Sequence, residues 1–418
     1  MGLQAAEPPA ERALTLEDSV NLAANNSQAL LMLQEDENIA LQRVRQAESL
    51  FFPKLDVNAN WSKFRVEGDK PLLLQPSLGP TIITGDPHEN FYTARANIYQ
   101  TVYEGGRTRN VWRQARISYE RARSAREAVR VQVSGAAKEA YYDLLLAQEK
   151  SRAYKDVLKR LESYMHRAPS ASLEGIRMEK EFASLREDTG QAALAEDESR
   201  LAYLQALNLE LNTAVSLKGE LTTQPIELDL QKMLAWATQY RAELRQTEYQ
   251  EELDALGISL SLAERTPTIG FGASYERSGH DVGLDTSGDW AGTLNINVPL
   301  SFSDLFFGWA KVRERKAQYR QATLKHAEAD DQIQFQVRQA YTKYRFWQSE
   351  LLPRETESRR AQALVESLRA KEAHGLDRLE AERFLLESHL KYLEAVHGHL
   401  DALAILERAV GHSLSQDL

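Results

Sequence analysis

Two acidic residues are the first candidates for chemistry. Asp377 and Glu380 stand three residues apart in G-L-D-R-L-E-A, directly after a glycine and at the start of a helical pattern. At that spacing both fall near one face of a first helical turn, where carboxylates favour the positive end of the helix dipole. Arg378 lies between them and is able to pair with either. His397 and His399 follow on the same helix, but residues two apart point to different faces, so they read as ordinary residues rather than a ligand pair. The nine histidines include no H-E-x-x-H spacing, and the chain has no cysteine, which removes disulfides, thiolate metal sites and a cysteine nucleophile. There is no glycine-rich phosphate loop. The reading is of a protein that is not an enzyme and that needs no metal or cofactor.

A second charged feature is G-G-R-T-R-N-V-W-R-Q-A-R, residues 105–116. It reads first as a solvated helix face and second as a contact for lipid head groups or cell-wall anions. The net charge of the whole chain is −10, the wrong sign for a nucleic-acid partner.

These residues sit on a chain dominated by long helical patterns. With 43% hydrophobic and 27% charged residues over 418 positions, it is able to bury a core. No apolar run reaches the ~18 residues of a membrane-spanning helix. The start, M-G-L-Q-A-A-E-P-P-A-E-R, lacks the apolar stretch of a signal peptide and reads as the beginning of a mature chain. Helix is expected over 16–50, 106–168, 173–212, 230–264, 308–368 and 376–410. The second of these, at 1.5 Å per residue, is a rod of roughly 90 Å.

The helical order repeats. E-A-Y-Y at Glu139–Tyr142 matches Q-A-Y-T at Gln339–Thr342, and S-R-L-A-Y-L-Q-A at Ser199–Ala206 matches S-H-L-K-Y-L-E-A at Ser388–Ala395. Two structural repeats are expected, 1–225 and 226–418, each in the order helix, strand, loop, strand, long helix, turn, helix.

The strands are four stretches of strict two-residue alternation, at about 54–66, 90–103, 267–278 and 289–302. Leu55, Val57, Ala59 and Trp61 alternate with Asp56, Asn58, Asn60 and Ser62. Tyr92, Ala94, Ala96 and Ile98 alternate with Thr93, Arg95 and Asn97. Phe271, Ala273 and Tyr275 alternate with Gly270, Gly272 and Ser274, and Trp290, Leu294 and Ile296 with Thr293, Asn295 and Asn297. Four strands do not close a barrel. They match the apolar-out, polar-in pattern of membrane barrel strands, which would need oligomerisation to remove the sheet edges. The lipid-facing candidates are Leu55, Val57, Trp61, Tyr92, Ile98, Phe271, Tyr275, Trp290, Leu294 and Ile296. Trp61, Trp290 and Trp309 are candidate interfacial anchors, with core packing the other reading of Trp309. The competing reading of the chain is a soluble long-helix coiled-coil scaffold or adaptor.

From Leu14 to Gly411 the chain resembles the TolC-like outer-membrane efflux protein family. The carrying motifs are F-P-K-L (Phe52–Leu55), Q-T-V-Y-E-G-G-R (Gln100–Arg107), and G-L-D-R-L-E-A (Gly375–Ala381) followed by Y-L-E-A. Thr101 stands where the family usually has proline, and Pro299 keeps it in the second half. The resemblance implies a mainly α fold with a small β part: duplicated long-helix hairpins forming a periplasmic α-barrel, and four strands per chain contributing to a twelve-stranded barrel in a homotrimer. It implies a passive exit duct of a tripartite efflux pump or type I secretion system in the outer membrane, in contact with its lipid and reaching into the periplasm. The implied partners are a periplasmic adaptor protein and an inner-membrane pump. The resemblance makes Asp377 and Glu380 candidates for acidic rings at a periplasmic gate, although Glu380 replaces the more usual Asp. It makes the turn tips Gly175, Ile176, Gly375 and Leu376 candidates for adaptor contact.

Overall fold

Two of the helices start where a capping side chain, Thr15 or Asp229, precedes an apolar-periodic run. Thr15 shows this: its Oγ1 accepts from the Asp18 backbone N–H at 3.2 Å, while Asp18 Oδ2 accepts from the Thr15 N–H at 3.1 Å. A computed structural model describes residues 12–63, 72–74, 81–83, 90–165, 173–279, 288–299, 302–370 and 376–414. In chain order the elements are β1 (Arg12–Leu14), α1 (Leu16–Asn26), α2 (Gln28–Ser49), β2 (Lys54–Lys63), β3 (Leu72–Leu74), β4 (Thr81–Ile83), β5 (Asn90–Tyr103) and α3 (Arg107–Met165). There follow α4 (Leu173–Ala206), β6 (Val215–Leu217), α5 (Leu230–Tyr240), α6 (Ala242–Ala263), β7 (Thr268–Gly279), β8 (Asp289–Asn297), α7 (Phe302–Ala370) and α8 (Leu376–Val410).

Four departures from the expected elements have physical causes. The helix expected over 16–50 breaks at Ser27 and that over 230–264 at Arg241; both residues have extended backbone and bury a polar side chain. Arg241 turns inward to donate from Nη1 to the carbonyls of Arg408 and Ala409 at 3.0 and 3.1 Å. Neither break contains Gly or Pro. The described residues hold eight strands, not four: β1 pairs in parallel with β6, and β3 pairs with β4, in three-residue runs too short to show alternation. The last strand ends at Asn297 rather than 302, because α7 already begins at Phe302. The return helix α4 stops at Ala206 rather than 212, and Asn208 just beyond it holds φ 52°.

Two compact units result. One comprises Met1–Asn38, Glu120–Tyr249 and Thr323–Leu418. Its interior has three apolar cores. Tyr141, Leu144, Tyr203 and Leu204 centre the first; Met233, Val337, Tyr344 and Leu406 the second; Val157, Leu161, Leu185, Leu379 and Leu386 the third. The duplicated tyrosines do matching work. Tyr141 donates its hydroxyl to the Lys218 carbonyl at 2.7 Å, and Tyr341 donates to the Leu228 carbonyl at 3.0 Å, so both hold the extended stretch around residues 218–228.

The other unit comprises Ile39–Tyr119 and Gln250–Ala322. It holds an antiparallel four-stranded sheet in the order β2-β5-β7-β8. β5 is joined to α3 through Gly105 and Gly106, at φ 64° and 80°, which a side chain rarely adopts. A Cβ at Gly105 would also collide with Thr266, which leads into β7.

Candidate membrane-facing sheet and helical tip

Register decides which side chains share a face. Leu55 pairs with Ile98, Val57 with Ala96, Ala59 with Ala94 and Trp61 with Tyr92. Ile98 continues to Ala273 and Ala96 to Tyr275. Phe271 then pairs with Leu294, Tyr275 with Trp290 and Ile269 with Ile296. All ten lipid-facing candidates therefore lie on one face of one sheet. That face is bare: Val57 is 72% exposed, Leu294 65% and Trp290 82%. At about 25 cal/mol per Å² of apolar surface left in water, such a face calls for a cover. Aromatics gather at its margins. The pairs Trp61–Tyr92 and Tyr275–Trp290 stand toward the loop ends. At the helix end, a shift of register between Thr101 and Tyr103 sets Tyr103 opposite Ile269, on the apolar side.

The opposite face is polar across all four strands, with Asp56, Asn58, Arg95, Asn97, Ser274, Glu276, Thr293 and Asn295. Arg95 and Glu276 are Cα partners across β5 and β7, and the Arg95 Nε donates to Glu276 Oε2 at 2.8 Å. Tyr99 lies flat over the neighbouring strand. A Cβ built on Gly270 would strike its ring, and one on Gly272 would lie 3.6 Å from its edge and 2.8 Å from Thr293 Oγ1. The two glycines thus let a large side chain rest against the wall. Strands β2 and β8 are the sheet's two edges.

At the ends of the helices, Asp377 and Glu380 occupy the first turn of α8, and both are exposed. Neither makes an ion pair among the described residues. Ile176 is 60% exposed beside the buried Gly175. Gly375 lies outside the described residues, and Leu376 opens α8.

The acid that the structure holds tightly is another one. Glu382 is 0% exposed and accepts from Arg160 Nε on α3 at 3.2 Å and from Arg369 Nη2 on α7 at 2.7 Å. Three helices thus meet on one carboxylate. The neighbouring Arg383 reaches across to Glu181 on α4 and to Glu387 at 3.3 Å. Sequence reasoning passed over Glu382, yet a signal was there: it occupies a core position in the stripe Leu379, Glu382, Leu386, Leu390, Leu393, and a charge in such a stripe needs a partner.

The histidines are structural. His397 Nε2 meets Asp143 Oδ1 at 2.7 Å, and the buried His399 meets Thr223 Oγ1 through Nδ1 at 2.8 Å. Trp309 is half exposed, with the Arg265 guanidinium 4.7 Å from its ring centroid.

Comparison with known proteins gives the same architecture. Residues 19–216 match the family described as outer membrane efflux protein. No curated protein sequence matches the chain. Among solved structures, the CmeC outer membrane channel of Campylobacter jejuni superposes with a TM-score of 0.78 at 14% identity, over 95% of this chain and 85% of that one. The outer membrane protein VceC of Vibrio cholerae does so at 0.77 and 16% identity, over 95% and 96% of the two chains. The open state of the Neisseria gonorrhoeae MtrE outer membrane channel gives 0.78 and 19%, over 96% and 89%. Identities this low speak to fold, and the fold they share is the combination of helical barrel and β-barrel strands. Residues 19–216 thus match the outer membrane efflux protein family, and the chain as a whole has the fold of the outer membrane channels on which it superposes.

Proposed function

We propose that this chain is the exit duct of a tripartite efflux pump or type I secretion system: a passive homotrimeric channel through the outer membrane, extended through the periplasm by its helices. One observation carries the reading. A single antiparallel sheet has one exposed face that is apolar except toward its ends, where Lys63, Arg277 and Gln100 share it, one polar face and two open edges. In water that arrangement exposes an aggregation surface. In a membrane the apolar face meets lipid, and the edges are satisfied when β8 of one copy pairs with β2 of the next. Three copies then close a barrel of twelve strands, with the polar face toward a water-filled lumen.

The same reading gives the tip its role. Asp377 and Glu380, exposed on the first turn of α8, would form acidic rings where the helices converge, favouring cations and moving with the helices. The turn tips at Gly175, Ile176, Gly375 and Leu376 would receive the periplasmic adaptor, which connects to an inner-membrane pump. The chain divides into the repeats 1–225 and 226–418, so each copy contributes two similar wedges to the wall. The test is the mass of the purified protein in detergent together with its conductance in a planar bilayer. A trimer that inserts and conducts supports the duct; a detergent-independent monomer without conductance contradicts it.

A further inference from the structure

The start of α3, R-T-R-N-V-W-R-Q-A-R, contains four arginines and no acid across 107–116, within a chain whose net charge is −10. Arg109, Arg113 and Arg116 recur at i, i+4 and i+7, so they share one helix face, and all three are exposed. α7 repeats the pattern. The 200-residue offset that matches Tyr141 with Tyr341 sets Arg113 against Arg313 and Arg116 against Lys316, both exposed. Arg109, Arg113, Arg313 and Lys316 make no ion pair among the described residues, whereas the adjacent Lys311 is held by Glu264 at 2.6 Å. Arg116 stacks over Trp112 at 5.7 Å. Both stretches therefore present exposed cations outside any ion pair among the described residues, with one acid, Glu314, beside those of α7.

Their position is informative. Tyr103 ends the apolar face of the sheet, and the 68%-exposed Phe52 and half-exposed Trp309 stand with it at the helix end. The cations come next: Arg109 is in the first turn of α3, and Arg116 is ~14 Å along the helix from Arg107. Apolar face, aromatic rim and then fixed positive charge is the order of hydrocarbon, interface and phosphate across one leaflet. Long basic side chains keep their stems along the rim and reach the phosphate plane.

We propose that this band binds the anionic headgroups of phospholipids in the leaflet where the barrel gives way to helices. The inference rests on the reading of the apolar face as lipid-facing and adds a headgroup preference to it. Lipid association would be measured by electron spin resonance on the full chain reconstituted in phosphatidylcholine vesicles, with spin-labelled phosphatidylglycerol compared with spin-labelled phosphatidylcholine. The expected result is a several-fold preference for phosphatidylglycerol. High salt should reduce it, and the combined variant R109Q/R113Q/R116Q/R313Q/K316Q should bring it to parity while still inserting. Equal association of the two lipids with the unaltered protein overturns the proposal. So does a variant that keeps the lipid preference but shifts the ion selectivity of the channel, since that places the cations on the lumen side. Failure to enter any vesicle removes the lipid-facing reading itself, and the headgroup site with it.

Discussion

Arg95 and Glu276 lie opposite each other on the polar face, joining β5 to β7 at the seam between the two halves of the chain. Both side chains remain about a quarter to a third exposed, at 25% and 30%, so the pair adds only about 1 kcal/mol or less to stability. Its larger consequence is electrical. Arg95→Gln leaves a bare carboxylate in the lumen and should raise cation preference, read as a shift in reversal potential under a salt gradient. Glu276→Gln should shift it the other way, and the double variant should lie near the unaltered protein. Singles that move in the same direction would place the pair off the conduction path.

On the proposed duct, the resting place of Tyr99 would set lumen width. Gly272→Val puts branched carbons where the Tyr99 ring and Thr293 now stand. The ring should swing off the wall, and single-channel conductance should fall. Adding Tyr99→Ala should restore it. A Gly272→Val channel of unchanged conductance would show that Tyr99 does not border the narrow part of the pore.

Glu382 ties α3, α7 and α8 together at the helical tip. Glu382→Gln keeps the shape but removes the charge that two guanidiniums share. Loss of a buried hydrogen-bonded charge costs about 1–3 kcal/mol, discounted here because Arg160 and Arg369 are 40% and 42% exposed. Faster amide hydrogen exchange is expected near the ends of these helices, with little change in the sheet. Uniform acceleration across the chain would mean that Glu382 supports the whole fold rather than the tip.

Burial pushes the imidazoles of His389 and His399 below their ordinary value of 6.5. The folded chain then binds fewer protons than the unfolded one. Their contribution is whole above 6.5 and is lost as pH falls toward the depressed folded values. The melting temperature should therefore drop between about pH 7.5 and pH 5, and His399→Asn should flatten part of that slope. An identical slope in the variant would assign the acid sensitivity elsewhere.

Much of this arrangement was legible in the residue order, for a reason specific to strands. Side chains alternate with a period of two, so the phase of Leu55–Trp61 and that of Trp290–Ile296 each chose a face, and antiparallel register then had to bring equal phases together. Tyr141 and Tyr341, matched in the residue order, each donate to a carbonyl of the stretch 218–228. The helix breaks were not legible. Arg241 interrupts good helical sequence through tertiary hydrogen bonds, and Ser27 by turning its Oγ to accept from the Leu30 N–H of the next helix; neither is a Gly or Pro. At the tip, the exposed pair Asp377 and Glu380 drew attention by its motif, while Glu382 was hidden in an apolar stripe whose partners come from two distant helices.

The duct requires that the sheet have one side in lipid and one in water. The chain contains no cysteine, so a single spin label can be placed at any position. Labels at each residue from Leu55 to Trp61, in the reconstituted protein, would be tested for collision with oxygen, which enters lipid, and with a water-soluble nickel chelate. A period of two is expected: oxygen access at Leu55, Val57, Ala59 and Trp61, and nickel access at Asp56, Asn58 and Asn60. Equal nickel access at every position, or the opposite phase, would contradict it.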